Sequence, residues 1–264
     1  MMINRPVRIA LQLQPQHMDY ATIRRTAAEA EDMGVDVIFN WDHFYPLRGD
    51  PVGKHFECWT MLGAWAEATS RVEIGALVTC NSYRNPELLA DMARTVDHIS
   101  GGRLILGVGA GWFEKDYIEY GYEFGTAGRR LEALAAALPR IDTRLAKLNP
   151  PPTRSIPVLI GGGGERKTLR LVARHADIWH SFGDADTIDH KLGVLRRHCA
   201  DVGRDPAEIE VSTGVRGGGD PRPESIGPRL REVGASLFTV GVSGPDPDLG
   251  GLRAWLAWRD AQNG

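Results

Sequence analysis

The stretch VEIGALVTCNSYRNPELLADMARTVDHISGGRLILGVG, residues 72–109, decides the fold. It opens with a short apolar, β-branched run (72–79) and closes with another (103–109). Between them residues 85–100 read as a helix, with Pro86 in the first turn, where its missing N–H costs nothing, and Gly101-Gly102 after its end. Strands that are continuously apolar, with no polar face, are buried on both sides. Strands joined by a helical crossover are parallel.

The same unit recurs outward in both directions. Toward the N-terminus lie a strand at 7–13, a helix at 20–33 and a second strand at 35–40; a helix at 58–70 leads into the quoted stretch. In the 20–33 helix, Ile23, Ala27, Ala30 and Met33 share one face and Gly34 ends it. Toward the C-terminus the spacing predicts a helix at 129–148 containing Pro139, then strands at 156–162, 176–182, 208–215 and 235–242. Helices at 165–175, 187–203, 223–234 and 248–262 alternate with them. Eight such units in about 250 residues is the count of a (β/α)8 TIM barrel. Periodicity does not show closure, so an open doubly wound sheet is the alternative. The Pro-rich run 149–157 reads as the connection into the fifth strand, because neither half makes a complete domain, and residues 1–264 are expected to form a single barrel domain.

Composition narrows the function classes. The net charge of −3, 42% hydrophobic and 25% charged residues describe an ordinary globular chain with no general pull toward nucleic acid or anionic membrane. Three scattered cysteines, in no zinc or CxxC spacing, fit a reducing compartment. No apolar run approaches the ~20 residues that span a bilayer. The expected location is the cytoplasm. No metal signature, nucleophile elbow or Ser-His-Asp arrangement is present.

In a barrel, function collects in the loops after the strands. Gln12 and Gln14 follow the first strand, and NWDHFYP (40–46) the second. Thr79, Cys80 and Asn81 follow the third, and GAGWFEKD (109–116) the fourth. GGGGERK (161–167) follows the fifth, His180 and Ser181 end the sixth, and RGGGD (216–220) follows the seventh. Glycines that expose backbone N–H groups before a helix, with Arg166, Lys167 and Arg170 nearby, suit a phosphate. His43 is the candidate proton carrier, since an imidazole exchanges protons near neutrality. Asp42 precedes it, and on an extended chain the two side chains diverge, one to the ligand and one to a neighbouring loop. His180 is a secondary candidate, and the Glu114/Asp116 pair reads as solvated. Trp41, Phe44, Tyr45, Phe56, Trp59, Trp112 and Phe113 cluster in the loops after the second and fourth strands, either capping the core or lining a pocket for a flat ring.

Three blocks carry a resemblance: AAEAEDMGVDVIFNWDHFYP (27–46), the block from Ala68 to Trp112 that contains RNPELLADMARTVDHISGGRLILGVGAGW, and IPVLIGGGGERKTLRLVARHADIW (156–179). They resemble the luciferase-like flavin and deazaflavin oxidoreductases, and DHFYP with VTCNSYRNP is similar to the branch that uses coenzyme F420. The resemblance implies a barrel whose cofactor ring lies over the third strand, at a bulge that often holds a non-prolyl cis peptide. That bulge falls here on Leu77-Val78, with Thr79 and Asn81 near the ring. It implies that Asp42 approaches the cofactor and shares the catalytic work with His43, which sits beside the hydride-transferring carbon. Gly109, Ala110, Gly111 and Trp112, with Gly161, Gly162, Gly163, Gly164 and Arg166, would hold the ribityl phosphate and tail.

Two departures are evident. The family's sugar-phosphate dehydrogenases carry Trp where this chain has Leu47, and Glu where it has Trp112, which leaves a more apolar mouth. The expected activity is an F420-dependent oxidoreductase passing hydride between the deazaflavin and a small-molecule substrate, with His43 exchanging the proton. FMN is the alternative cofactor, in a monooxygenase of the same superfamily, and a non-catalytic cofactor-binding protein is the third reading. Family members are often homodimers, so a second copy of the chain is the expected partner.

Overall fold

The computed structural model describes residues 5–215 and 222–264; the predicted loop at 216–220 lies outside the described residues. Its nine strands are β1 (Arg8–Leu13), β2 (Val37–Asn40), β3 (Glu73–Ala76), β4 (Thr79–Cys80), β5 (Leu104–Gly109), β6 (Val158–Gly161), β7 (Ile178–Ser181), β8 (Glu210–Gly214) and β9 (Ala235–Val242). All their pairings are parallel, and β1 pairs with both β2 and β9. β3 pairs with β2 and β5, and β4 continues along β5. β3 and β4 are therefore one stave, interrupted at Leu77-Val78, whose peptide is cis. The sheet closes into an eight-stave (β/α)8 barrel, and the open-sheet alternative falls away.

The helices are α1 (Tyr20–Asp32), α2 (Cys58–Ala68), α3 (Pro86–Ser100), α4 (Glu114–Tyr120), α5 (Ala127–Leu145), α6 (Thr168–His175), α7 (Ala185–Val202), α8 (Pro223–Glu232) and α9 (Gly250–Asn263). Local chemistry sets their ends. The Asp19 carboxylate accepts from the Thr22 N–H to start α1, and Asn85 accepts from the Glu87 and Leu88 N–H groups to start α3. Gly101 stops α3 in the left-handed region at φ +66°. α4 is absent from the sequence reading, and α6 begins three residues later than the periodicity suggests.

Strand alternation separates two cores. Ile38, Trp179, Phe238 and Trp255 belong to the layer between sheet and helices. Ala10, Val37, Phe39, Leu77, Ile105, Leu159, Ile178 and Leu237 fill the lumen. At the N-terminal end of the strands an ion cluster closes the lumen: Arg8 pairs with Glu73 and Glu210, and Arg154 with Glu73. That end is built for stability, which leaves the C-terminal ends for a site. No helix among the described residues is long and apolar enough to cross a membrane.

Candidate active site

The floor of the C-terminal mouth is the break in the third stave. The Leu77 N–H donates to the Asn40 carbonyl at 2.9 Å, and the Leu77 carbonyl accepts from Gln12 Nε2 at 3.1 Å. Val78 leans across toward β5 and β6. A β-carbon on Gly109 would lie 2.6 Å from one Val78 methyl, and one on Gly161 would lie 2.9 Å from the other. On Gly107 it would meet the Ala76 carbonyl at 1.9 Å. The glycines at the ends of β5 and β6 are thus explained first by close packing against the interrupted stave. An apolar ledge, Leu77 and Val78, remains at the centre of the mouth.

His43 lies in the loop after β2, the neighbouring stave, and its partner comes from α4. His43 Nδ1 lies 2.8 Å from Asp116 Oδ2. Asp116 is fully buried and also accepts from the Phe44 N–H at 3.3 Å and from the Tyr83 hydroxyl at 3.2 Å. Burial, with Cys80 and Asp116 adding to it, pushes the Tyr83 phenol far above its ordinary range, so it stays a donor. Three donors converging on one carboxylate hold it as an acceptor, and the acceptor fixes the imidazole tautomer with Nδ1–H facing inward. Nε2 is left without a protein partner among the described residues. The His43 ring packs edge-on against Trp41, Trp112 and Phe113 at centroid distances of 5.7, 5.8 and 5.5 Å.

This corrects the reading of Asp116 as a solvated surface acid. Sequence periodicity gives little sign of this placement, because α4 is only seven residues long and starts at Glu114 with no side-chain cap. The available signal was helical spacing, which puts Asp116 and Tyr120 on one side of a helix, with Phe44 stacking on Tyr120 at 3.9 Å.

Asp42 takes a different place from the one the resemblance implies. It is 2% exposed, and its carboxylate receives both Arg84 Nη atoms, at 2.5 and 3.0 Å, and the Cys80 N–H at 2.9 Å. Arg84 also reaches Glu57, the N-cap of α2, at 2.6 Å. Asp42 fastens the loop after β2 to β4 and, through Arg84, to α2. The divergence of Asp42 and His43 holds, with Asp42 taking the neighbouring loop. Thr79 is likewise turned away: it is fully buried and in register with Val108, whose side chain packs toward the helices. Asn81 opens a 3₁₀ turn, Asn81–Tyr83, and is half-buried.

Two glycine segments border the ledge. In Gly109–Trp112, Gly111 has φ +80°, and a β-carbon there would meet Tyr117 Oη at 2.0 Å and Cys80 Sγ at 2.5 Å. Arg130 Nε donates to the Gly111 carbonyl at 3.0 Å and steadies the turn. Ala110 packs against the outer core, whereas Trp112 is 63% exposed at the rim. In Gly161–Gly164, the Gly162 N–H donates to the His180 carbonyl, and the Trp179 indole donates to the Gly162 carbonyl, both at 2.9 Å. Lys191 Nζ donates to the Gly163 carbonyl at 2.6 Å, a cation at this loop that the sequence reading omits. Lys167 is taken up by Glu132 at 2.7 Å, while Arg166 and Arg170 are exposed.

The structure therefore gathers Leu77, Val78, His43, Trp112 and both glycine segments at one end of the barrel, and assigns Asp42 and Thr79 to the scaffold beneath them. Solved structures share this architecture. An F420-dependent secondary alcohol dehydrogenase in complex with an F420-acetone adduct superposes with a TM-score of 0.81 at 18% identity, covering 96% of this chain and 98% of that one. The coenzyme F420 dependent tetrahydromethanopterin reductase from Methanopyrus kandleri gives 0.72 at 18% identity, covering 96% and 97%. An EDTA monooxygenase from Chelativorans gives 0.65 at 16%, covering 80% and 62%. Among sequence relatives, an uncharacterised protein of Mycobacterium tuberculosis is 28% identical over 224 residues, 80% of this chain and 77% of its own length. The phthiodiolone/phenolphthiodiolone dimycocerosates ketoreductase of the same organism is 29% identical over 247 residues, 85% of this chain and 61% of the relative. The family profile described as luciferase-like monooxygenase matches residues 1–217, and the chain belongs to that family.

Proposed function

We propose that the chain is an F420-dependent oxidoreductase acting on an apolar carbonyl/alcohol pair. The observation that carries the reading is the His43–Asp116 pair in the loops after β2 and β5, the strands on either side of the stave that bears Leu77 and Val78, with Nε2 without a protein partner among the described residues. The residues present suit a deazaflavin. Leu77 and Val78 offer a flat apolar support, and the glycine turns at Gly109–Gly111 and Gly161–Gly164 bring bare backbone close to it. Arg166 and Arg170 supply exposed positive charge toward an anionic tail. When bound, F420 supplies a carbon centre that gives or takes a hydride and nothing else.

The chain's own residues supply the rest. In carbonyl reduction the proton that joins the substrate oxygen comes from His43 Nε2; in alcohol oxidation it returns there. Asp116 keeps the ring oriented in both directions and offsets the positive charge of the imidazolium. Trp112, Phe113 and Leu47 make the approach apolar, which favours a hydrocarbon-bearing ketone over a sugar phosphate. Two similarities support this reading: the F420-dependent alcohol dehydrogenase shares the fold, and the mycobacterial ketoreductase shares sequence.

Titrating the purified protein with F420 and with FMN, by fluorescence and absorbance, tests the cofactor. F420 is expected to bind, and FMN binding without F420 binding overturns the assignment. The FMN reading draws on the family description and on the shared fold of the EDTA monooxygenase. His43→Ala is expected to bind F420 normally and lose turnover; full turnover in that variant removes His43 from proton transfer.

A further inference from the structure

One layer below the mouth, the wall formed by β7, β8 and β9 turns polar. Ile178 lies in the lumen and Trp179 in the outer core, so alternation puts His180 on the lumen side. Ser212 is its register partner on β8, and Thr239 lies in register with Ala10, another lumen residue. His180 is 2% exposed, Ser212 fully buried, and Thr239 buried. Ser212 Oγ is 2.8 Å from His180 Nδ1, whereas His180 Nε2 and Thr239 Oγ1 are buried with no hydrogen-bond partner. Orphaned polar atoms in a lumen otherwise lined by Ala10, Leu159, Ile178 and Leu237 are costly unless something arrives to pair with them.

The hydrogen-bond count fixes which chemistry that is. If His180 Nδ1 donates to Ser212, the buried serine hydroxyl proton has no acceptor. If the serine hydroxyl donates to Nδ1, it is satisfied, and the ring proton resides on Nε2. Burial lowers the His180 pKa to about 4, so the ring is neutral and has this one N–H to offer. Thr239 contributes a second hydroxyl donor on the same wall. Phe182, 65% exposed, packs edge-on to His180 at 5.1 Å and covers it from the mouth side. An exposed ring changes rotamer on the picosecond-to-nanosecond scale, so the cover does not bar entry.

We propose that His180, held by Ser212, forms with Thr239 a donor recess in the barrel lumen that binds a carbonyl oxygen of the ligand seated in the mouth. The proposal rests on the reading of the mouth as a ring- and carbonyl-binding site, and the carbonyl belongs either to the cofactor ring or to a ketone substrate.

Protein labelled with 15N at histidine, observed through long-range proton–nitrogen correlations, separates the sources. Without ligand, His180 is expected to carry its proton on Nε2. Separate titrations with F420, with FMN, and with cyclohexanone in the presence of F420 then follow. Movement of the His180 Nε2 resonance in a cofactor arm assigns the recess to a ring carbonyl; movement in the ketone arm alone assigns it to the substrate. With F420 or FMN shown to bind, a resonance unmoved in all three arms overturns the proposal. Failure of F420 to alter the His43 resonances or its own fluorescence counts instead against the proposed function. His180→Phe is expected to weaken whichever ligand moved the resonance at least tenfold, and unchanged affinity also overturns the recess.

Discussion

His43 Nδ1 and Asp116 Oδ2 lie 2.8 Å apart although 73 residues separate them in the chain. The loop after β2 delivers the imidazole, and the short helix after β5 delivers the carboxylate. The pair exists because β2 and β5 flank the same stave of the closed sheet, and it leaves Nε2 as the ring nitrogen without a protein partner among the described residues. Asp116→Asn replaces an obligate acceptor with a group that can also donate, which permits the tautomer with the proton on Nε2. Turnover is expected to fall by roughly 10²–10⁴-fold with F420 affinity little changed, measured by steady-state assay beside fluorescence titration. A variant with wild-type turnover would remove Asp116 from the reaction.

Asp42 and Arg84 make a buried bidentate pair that also anchors the Cys80 N–H. Asp42→Ala removes the acceptor of the Cys80 N–H and leaves Arg84 with Glu57 as its one carboxylate. It is expected to cost about 1–3 kcal/mol in urea unfolding. Asp42→Ala combined with Arg84→Met should recover part of the loss, since the half-paired guanidinium is gone. Full stability in the single variant would contradict the scaffold role.

Gly111 has a left-handed backbone with Tyr117 Oη and Cys80 Sγ where a β-carbon would stand. Gly111→Ala is expected to destabilise the fold by roughly 2 kcal/mol or more and to displace Trp112 from the rim. Thermal unfolding reports the first effect and tryptophan fluorescence the second.

His180 gives a pH dependence of definite sign. Its folded pKa of about 4 lies below the ordinary 6.5, so the unfolded chain takes up the proton more readily. The stability tied to the neutral ring is complete above pH 6.5 and is lost as pH falls toward 4. The stability difference between wild type and His180→Gln should therefore narrow between pH 7.5 and 4.5, by on the order of 2–3 kcal/mol. Urea midpoints at the two values check this, and a constant difference refutes it.

Much of the architecture is readable in residues 72–109 alone, because strand and helix periods are local properties. The helix opened by Asn85 and Pro86 and closed by Gly101 falls almost where its caps put it. The candidate site is legible only in part. The glycines, His43 and the Leu77-Val78 break could be placed at strand ends, whereas the partners of Asp42, Asp116 and Lys191 lie 33 to 73 positions away, or 28 for the lysine.

The sequence by itself determined eight alternating units, the loops that bear unusual residues and the divergence of Asp42 from His43, since these follow from backbone geometry over a few residues. Closure of the sheet decided the rest: which carboxylate meets the imidazole, which one meets Arg84, and which polar groups of β7, β8 and β9 face the lumen without partners. Those pairings depend on strand register and on side chains brought together from distant segments, and no local period encodes them.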